Sequence, residues 1–456
     1  MYSRDTIAAM STANGAAAVA IVRVSGADAV AVAARVFRGP RPDRWTSHRL
    51  YTGRFVDAGE QVLDHGLGVI MRAPRSYTGE DVVELHGHGG VLLARRLLGA
   101  VIAAGARPAA PGEFTLRAFL NAKLDLAQAE SVAELIAART DSALRVAVHQ
   151  LGGSLSRAVE ELRERIIGIA AHLEVAIDFS EEDVGDLDRA KFADDATGVT
   201  MALRELAATY RRGRILREGL RVAIVGKPNV GKSSLLNRLL EIERAIVTPI
   251  PGTTRDVIEE MLEIDGLAIV LADTAGIRTS REEVEQLGIE RARQQIDAAD
   301  LTIIVLDNSR AWGPEDAEVL DATRQKRTIL LINKIDLQSR LVLPEELRDA
   351  RPIVRASALT GVGMDSLRSE LLRAADLPAR DEPTPTITIT RERHRVAIEA
   401  AAESVERAVA SLRAGNPPDV VAVDIMSGLD HLEEIVGRTS PEAVLDRIFG
   451  EFCIGK

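Results

Sequence analysis

The segment Gly226-Lys227-Pro228-Asn229-Val230-Gly231-Lys232-Ser233 has the residue types and spacing of a phosphate-binding loop. Its glycines allow successive backbone N–H groups to curve around a β-phosphate. Lys232 supplies a positive charge, and the Ser233 hydroxyl can bind Mg²⁺. The apolar run Leu220–Val225 precedes the loop and a helical pattern over residues 234–240 follows it. This context favours a phosphate site over the alternative, a glycine-rich turn between a strand and a helix.

Four further motifs follow the loop in the order that a nucleotide switch requires. They are Thr253-Thr254-Arg255-Asp256, Asp273-Thr274-Ala275-Gly276, Asn333-Lys334-Ile335-Asp336 and Ser357-Ala358-Leu359. Short apolar runs over residues 267–272, 301–306, 328–332 and 353–354 indicate buried strands between helical segments. Such alternation predicts a doubly wound parallel sheet with ligand loops at the carboxyl ends of its strands.

The Asn-Lys-x-Asp motif favours guanine over adenine. A fixed carboxylate at Asp336 can accept hydrogen bonds from both the ring N–H and the exocyclic amine of guanine. Adenine presents no such pair of donors, so a buried acceptor would be left unsatisfied at a free-energy cost. Lys334 can lie along the loop glycines, and the backbone of Ser357 and Ala358 can contact the base oxygen. The sequence therefore predicts GTP binding.

The chemistry of hydrolysis is only partly explained by these motifs. Ser233 and Thr254 are the expected Mg²⁺ ligands, with Asp273 near the metal through water. Lys232 and the amide of Gly276 are expected to hold the γ-phosphate. The next residue is Ile277, where Ras-like enzymes carry a glutamine that orients the attacking water. Because isoleucine cannot orient water, either hydrolysis is slow or another group performs this role.

The length and the predicted elements indicate several domains. A chain of 456 residues corresponds to about three domains. We expect a multidomain α/β protein with an N-terminal α+β domain (1–118), a helical domain in two parts (119–217 and 379–456) and an inserted, Ras-like doubly wound GTPase domain (218–378). The helical spacing of one group of apolar residues places them on a single helix face. This group comprises Leu155, Val159, Leu162, Ile166, Ile169 and Leu173.

Composition limits the possible partners and compartments. The net charge of −11 argues against a protein that coats nucleic acid non-specifically, although a local basic patch is compatible with it. The single cysteine permits no internal disulfide and suits a reducing cytoplasm. No apolar run approaches the roughly 20 residues that a membrane span needs. We therefore expect a cytoplasmic protein with no membrane span.

Several motifs lie outside the GTPase loops. They are Val22-Arg23-Val24-Ser25-Gly26, Tyr77-Thr78-Gly79-Glu80-Asp81-Val82-Val83-Glu84-Leu85, Gly87-His88-Gly89-Gly90, Pro111-Gly112-Glu113-Phe114-Thr115, Ala118-Phe119-Leu120-Asn121-Ala122-Lys123-Leu124-Asp125, Asp178-Phe179-Ser180-Glu181-Glu182-Asp183 and Phe452-Cys453-Ile454-Gly455-Lys456. The GTPase loops alone fit several families. With these motifs added, the chain resembles, from end to end, the MnmE (TrmE) family of tRNA-modification GTPases.

The resemblance implies an answer to the missing glutamine. Glu285 would orient the attacking water through a second molecule, and K⁺ would occupy the position of an arginine finger. The K⁺ ligands would be the Asn229 side chain and oxygens of Thr248, Ile250 and Thr253, in a site completed when two GTPase domains meet. The resemblance implies catalytic roles for Glu285, Lys232 and Asn229. From the residues alone, Glu285 fits a solvated acidic turn better.

The resemblance also implies a set of GTP contacts. They are Asn229, Val230, Gly231, Lys232, Ser233, Ser234, Thr248, Pro249, Ile250, Pro251, Gly252, Thr253, Thr254, Asp273, Thr274, Ala275, Gly276, Asn333, Lys334, Asp336, Ser357, Ala358 and Leu359.

A second site is also implied by the resemblance. Arg23, Glu84, Lys123 and Lys456 would bind a 5-formyl- or methylene-tetrahydrofolate in an N-terminal domain that also dimerises. A carboxylate suits the donors of a pterin edge, and cations suit a glutamate tail. From the residues alone these four are scattered surface charges.

Three other side chains invite a chemical interpretation. Cys453 is a candidate nucleophile, although burial as a small apolar residue is favoured. His86 and His88 suggest a metal site, although a tight turn among glycines is favoured there.

The resemblance implies a potassium-dependent GTPase that forms a homodimer and a heterotetramer with the flavoprotein MnmG (GidA). Together they would add an aminomethyl or carboxymethylaminomethyl group to C5 of the wobble uridine of certain tRNAs, with the folate as one-carbon donor. Two alternatives remain open at this stage. One is a ribosome-assembly GTPase resembling Era or Der, and the other is a folate-binding scaffold with an inactive GTPase domain.

Overall fold

The computed structural model describes residues 5–13, 15–178, 189–242, 244–245, 260–271, 294, 296–347, 351–376, 387–439 and 441–456. The chain forms two compact units. The first unit comprises Met1–Ala133, Gln150–Arg189 and Arg407–Lys456, and the second comprises Glu134–His149 and Ala190–Glu406. The boundaries between these two units fall inside the predicted helical segments 119–217 and 379–456. They therefore do not test the domain boundaries expected from the sequence, which remain a prediction.

The strands of the described residues are numbered in chain order. They are β1 (Ile7–Met10), β2 (Val19–Ser25), β3 (Phe37–Arg38), β4 (Leu50–Val56), β5 (Val62–Met71), β6 (Val82–His88), β7 (Arg107–Pro108), β8 (Leu220–Val225), β9 (Arg244–Ala245), β10 (Glu260–Ile264), β11 (Leu267–Leu271), β12 (Leu301–Asp307), β13 (Thr328–Asn333) and β14 (Ile353–Arg355).

The α-helices of the described residues are numbered in the same way. They are α1 (Ala29–Val36), α2 (Val91–Ala103), α3 (Glu113–Leu120), α4 (Leu126–Ala137), α5 (Asp141–Leu151), α6 (Ser154–Asp178), α7 (Arg189–Ala208), α8 (Tyr210–Glu218), α9 (Lys232–Ile242), α10 (Pro314–Ala322), α11 (Met364–Ala374), α12 (Glu392–Arg413), α13 (Pro418–Val436) and α14 (Glu442–Gly450).

The first unit contains a sheet whose described strands have the order β3-β4-β5-β6-β2-β1-β7. Neighbouring strands are antiparallel, except that β1 and β7 are parallel. Alternate residues of β2 and β6 point to opposite faces. Val22, Val24 and Leu85 join the core beneath α1 and α2, so Arg23 and Glu84, which are paired in register, lie on the other face.

Helices complete the first unit. The six apolar residues of α6 that the sequence places on one helix face are all buried, so that prediction is confirmed. α6 packs along α13, and Arg163 Nε donates to Glu433 Oε1 across this contact at 3.2 Å. A smaller core, which includes Leu116, Leu126 and Phe449, joins α3, α4 and α14.

The second unit contains a sheet whose described strands have the order β14-β13-β12-β8-β11-β10-β9. The first five are parallel, as predicted, and apolar side chains are buried on both faces. The strands β10 and β9 are antiparallel, which the sequence interpretation did not anticipate. The cause is local: the two residues Asp265 and Gly266, both with positive φ, connect β10 directly to β11.

The two sheets and the helices have the multidomain α/β character expected from the sequence. Within the described parts of the chain, no helix has the length and apolar character needed to cross a membrane.

Candidate functional site

The phosphate-binding loop lies between β8 and α9, at the carboxyl edge of the second sheet. Two of its glycines are required by geometry. Gly226 has φ +147°, and a Cβ atom there would lie 2.5 Å from the carbonyl oxygen of Val305. Gly231 has φ +99°, and its Cβ would lie 2.3 Å from Asn333 Nδ2. The loop therefore fits against β12 and the end of β13 only because these positions lack side chains.

Lys232 begins α9 and points back over the loop. Its Nζ donates to the carbonyl oxygens of Gly226 at 2.7 Å and Lys227 at 2.9 Å. Burial lowers the pKa of Lys232 from its ordinary value. An ammonium group in this position gains from an anionic partner, which a phosphate supplies.

The side chain of Asn333 joins two loops of the candidate site. Its Nδ2 donates to the carbonyl oxygen of Val230 at 2.9 Å, and its Oδ1 accepts from the amide of Ala358 at 3.0 Å. Lys334 adjoins it with φ +64°, and Lys334 Nζ donates to the carbonyl oxygen of Asn229 at 2.7 Å. The structure thus brings together the phosphate loop, the Asn-Lys-x-Asp motif and the segment after β14.

The residues predicted to contact the base differ in their exposure. Asp336 is exposed, Ser357 is fully buried and Leu359 is 75% exposed. Arg238 Nε donates to the carbonyl oxygen of Ala358 at 2.9 Å, which holds that loop against α9. Asp336 is therefore accessible to a ligand, as base recognition requires.

Several predicted residues fall outside the described residues. They are Thr248, Pro249, Ile250, Pro251, Gly252, Thr253, Thr254, Asp273, Thr274, Ala275, Gly276 and Glu285. Of the expected metal ligands, the structure describes Ser233, which follows Lys232 in α9, and Asn229, which is exposed with φ +62°. Across the described ranges, no cluster of three or more His, Cys, Asp or Glu could hold a metal ion. Mg²⁺ bound mainly through phosphate and hydroxyl oxygens needs no such cluster.

Arg23 and Glu84 form the centre of the second candidate site. Arg23 Nε donates to Glu84 Oε1 at 2.9 Å, and the two side chains are 18% and 15% exposed. The guanidinium lies 5.5 Å from the ring centroid of Tyr77 and 5.7 Å from that of Phe114, at distances typical of cation–π contacts. The guanidinium of this charged pair thus lies against two aromatic rings.

His86 also contacts the carboxylate of Glu84. Its Nε2 lies 3.3 Å from Glu84 Oε2. Burial favours the neutral carboxyl, but the hydrogen bond with His86 and the charge of Arg23 outweigh it, so the pKa of Glu84 is lowered. His86 and His88 belong to the extended strand β6, so the prediction of a tight turn there is wrong.

The C-terminal motif reaches the same region. Ile454 bridges to Pro111, and a Cβ on Gly455 would lie 2.0 Å from the carbonyl oxygen of Met10. The carbonyl oxygen of Lys456 accepts from the amide of Phe114 at 3.2 Å. Lys456 is therefore adjacent to one of the rings beneath Arg23. Its position in the fold is fixed by backbone contacts of the terminal motif.

Lys123 lies against a neighbouring loop of the first unit. Its Nζ donates to the carbonyl oxygen of Pro74 at 3.1 Å, and its stem is close to Gly79. The structure therefore joins Arg23 to Glu84 directly and Lys456 to them through Phe114, while Lys123 contacts the loop that leads to Tyr77.

Cys453 is exposed, so the prediction that it is buried is wrong. Its neighbour Phe452 is buried and packs against Phe449, with ring centroids 5.4 Å apart and the rings tilted by 37°. The chain turns the thiol of the next residue outward.

Some residues that shape these sites were missed at the sequence level. Asp307 contacts Lys334, and Tyr77 and Phe114 support Arg23. An acidic residue directly after the apolar run over residues 301–306 is a signal that could have identified Asp307. The aromatic residues lie within the motifs already noted, but their relation to Arg23 depends on the fold.

Comparisons with known proteins agree along the whole chain. The family model described as GTP-binding protein TrmE N-terminus matches residues 6–123, and the model described as MnmE helical domain matches residues 126–453. A protein of Moorella thermoacetica called tRNA modification GTPase MnmE is 47% identical over 466 residues, covering 99% of each chain. A protein of the same name from Syntrophotalea carbinolica is 45% identical and covers 100% of each chain.

Among solved structures, Aquifex aeolicus Era bound to GDP and aluminium fluoride is 32% identical over 40% of this chain and 66% of its own, with a TM-score of 0.26. The family models and the full-length relatives, together with the loop geometry described above, lead to one conclusion: the chain belongs to the MnmE family of tRNA modification GTPases.

Proposed function

We propose that this protein is a potassium-dependent GTPase which, with a flavoprotein partner (MnmG/GidA), adds an aminomethyl or carboxymethylaminomethyl group to C5 of the wobble uridine of certain tRNAs. The observation that carries the GTPase part is the connection that Asn333 and Lys334 make between the phosphate loop and the base-recognition loops. We assign the N-terminal domain (1–118) to folate binding and dimerisation, the inserted domain (218–378) to GTP, and the segments 119–217 and 379–456 to the helical domain. We place the activity in the cytoplasm.

The phosphate loop suits a Mg²⁺-bound nucleoside triphosphate. Backbone amides at the start of α9 and the ammonium of Lys232 favour an anion, and the Ser233 hydroxyl lies one residue further into the helix. Asp336 is accessible to accept the two guanine donors. Mg²⁺ would neutralise charge on the β- and γ-phosphates, while Ser233 would orient it with Thr254 and Asp273.

Asn229 suits the role of a K⁺ ligand. Its backbone carbonyl accepts from Lys334 at 2.7 Å, and its side chain is exposed, on a residue with φ +62°. K⁺ would supply positive charge beside the terminal phosphate, with Thr248, Ile250 and Thr253 as further ligands and Glu285 orienting the water. Two GTPase domains would complete the site in the homodimer.

Potassium dependence gives a direct test. We expect GTP hydrolysis by the wild-type protein to be faster in K⁺ than in Na⁺ at equal ionic strength, and Asn229→Ala to remove most of this difference at saturating GTP. Steady-state phosphate release in the two salts measures the effect. Asn416→Ala, at an exposed asparagine of the first unit, is the control and should keep full stimulation. A wild-type rate indifferent to the cation would contradict the role of K⁺.

The tRNA part is tested in cells. In a strain that lacks the gene, we expect wobble uridines to lose the C5 modification and the wild-type gene to restore it. Mass spectrometry of tRNA nucleosides gives the readout, and unchanged nucleosides in the deletion strain would refute the proposed reaction. Restoration by the Asn229→Ala gene at wild-type level would separate tRNA modification from potassium-stimulated hydrolysis.

The pair of Arg23 and Glu84 suits a reduced folate. The lowered pKa keeps Glu84 ionised at neutral pH, so it can accept from adjacent donors on a pterin edge. Lys123 and Lys456 could contact the glutamate tail. The folate would supply the one-carbon unit of the modification, while these residues would bind and orient it.

We expect Glu84→Gln to weaken binding of 5-formyl-tetrahydrofolate by about 10- to 100-fold, the value of a hydrogen bond to a charged group. Isothermal titration calorimetry provides the measurement. Glu60→Gln is the matched control, because Glu60 also pairs with an arginine, Arg38, but is 67% exposed on the surface. Equal affinities for the wild-type and Glu84→Gln proteins would remove Glu84 from the folate site.

A further inference from the structure

Asp307 is a buried carboxylate at the carboxyl end of β12. It is paired in register with Asn333 of the neighbouring parallel strand β13, and its side chain is 1% exposed. Lys334, the next residue after Asn333, adopts φ +64°. Its side chain returns across the strand ends, and Lys334 Nζ lies 2.6 Å from Asp307 Oδ2. A buried charge at this place needs such a partner.

Both oxygens of Asp307 are engaged. Oδ1 accepts from the backbone amide of Ser309 at 2.9 Å and from the Ser309 hydroxyl at 2.7 Å. Arg310 Nε is a more distant second cation, 3.8 Å from Oδ2. Burial alone would raise the pKa of Asp307, but the hydrogen bonds from Lys334 and Ser309 lower it overall. The carboxylate is therefore ionised and held in one orientation.

The ammonium of Lys334 connects this carboxylate to the phosphate loop. Besides Asp307, Nζ donates to the carbonyl oxygen of Asn229 at 2.7 Å. The stem passes over the loop, since a Cβ on Gly231 would lie 3.9 Å from Lys334 Cε. Lysine is a flexible side chain with many rotamers, and its ordering opposes binding unless it is already fixed. Its two partners, the Asp307 carboxylate and the Asn229 carbonyl oxygen, fix the ammonium before a nucleotide arrives.

We propose that Asp307 is a positioning residue for guanine-nucleotide binding: it holds Lys334 across the phosphate loop, so that the lysine stem forms a preordered wall of the nucleotide site. The proposal rests on the assignment of Lys334 as a GTP contact. Asp307 acts through Lys334 and has no contact of its own with the nucleotide. Loss of its charge should therefore affect nucleotide retention more than the chemical step.

The test is the nearly isosteric change Asp307→Asn. We expect Kd for GDP to rise by about 10- to 100-fold, as for loss of a charged hydrogen bond, chiefly through faster release of a fluorescent GDP analogue in stopped-flow experiments. KM for GTP should rise while kcat at saturating GTP stays close to the wild-type value. Asp321→Asn is the control, since Asp321 is 72% exposed and pairs with Arg324 on the surface of α10. It should leave all three quantities unchanged.

A double-variant cycle distinguishes positioning from a general structural role. Lys334→Ala should weaken binding, and adding Asp307→Asn to it should cause no further loss, because the carboxylate acts only through the lysine. Additive losses, or unchanged GDP release in Asp307→Asn, would overturn the proposal. Ser309→Ala removes one donor to Asp307 and should give a smaller increase in release rate. If Asp307→Asn does not fold, an unchanged rate in Ser309→Ala overturns the proposal instead.

Different results would refute the proposed function and the role of Asp307. A wild-type protein that fails to bind guanine nucleotides would refute the GTPase assignment. If the wild type binds GDP tightly and Lys334→Ala binds it equally well, only the role of Lys334 as a nucleotide contact and the role of Asp307 in positioning it are refuted.

Discussion

Gly231→Ala is expected to lower the affinity for GTP and GDP by at least about 100-fold, the consequence of displacing a network of buried hydrogen bonds. The new methyl carbon would lie 2.3 Å from Asn333 Nδ2, a separation that forces either the amide or the loop to move. If the amide moves, its bonds to Val230 and Ala358 are lost. If the loop moves, the amides that surround the β-phosphate lose their arrangement. Fluorescence titration with a labelled GDP measures the change.

A second glycine separates this steric effect from backbone strain. Gly415 has φ +84°, but nothing lies within 4 Å of the position that its Cβ would occupy. Gly415→Ala should therefore lower stability by only about 1 kcal/mol, from the positive φ, and leave nucleotide affinity unchanged. If Gly231→Ala binds GDP like the wild type, the close packing of Asn333 against the loop has no role in nucleotide binding.

The phosphate loop and its companion motifs could be found from sequence because each is a continuous segment. The spacing of Gly226, Gly231 and Lys232 is set by local backbone geometry, and the register of the strands then brings Asn333 against the loop. The buried face of α6 could also be predicted from the sequence, because helical periodicity is a property of neighbouring residues. The described structure adds the reason why these glycines tolerate no side chain.

Features that depend on pairing between distant segments could not be predicted in the same way. Arg23 and Glu84 meet only through the register of β2 and β6, and the position of Phe114 beneath Arg23 follows from the docking of α3. Cys453 is exposed because its neighbour Phe452 occupies the buried apolar position.

One missed feature did have a sequence signal. Asp265-Gly266 lies between apolar strands, and Asp-Gly is a strong indication of a two-residue hairpin turn. It would have predicted the antiparallel edge of the second sheet. The alternation of strands and helices in the rest of this segment predicts parallel strands only and does not account for the hairpin.

Lys232→Ala is expected to reduce GTP hydrolysis by at least about 100-fold, the typical effect of removing one charge-stabilising group from a transition state. The ammonium would otherwise neutralise charge on the transferred phosphoryl group. Its partners in the structure are carbonyl oxygens of the loop, and its pKa is lowered by burial. Removing the ammonium also removes the free-energy cost of burying its charge, so the nucleotide-free protein should keep its melting temperature. The increase in Tm on adding GDP should be smaller than in the wild type. Phosphate release and thermal melts with and without GDP test both expectations.

Lys227→Ala provides the contrasting result within the same loop. Lys227 Nζ lies 2.6 Å from Asp316 Oδ2, and Asp316 is 3% exposed. Its removal leaves a buried carboxylate without its cation, which should destabilise the nucleotide-free protein by about 3–5 kcal/mol. The two lysines should thus separate catalysis from stability. A Lys232→Ala protein that melts much earlier than the wild type would show that the lysine supports the fold, and a Lys232→Ala strain with normal tRNA modification would show that hydrolysis is not coupled to it.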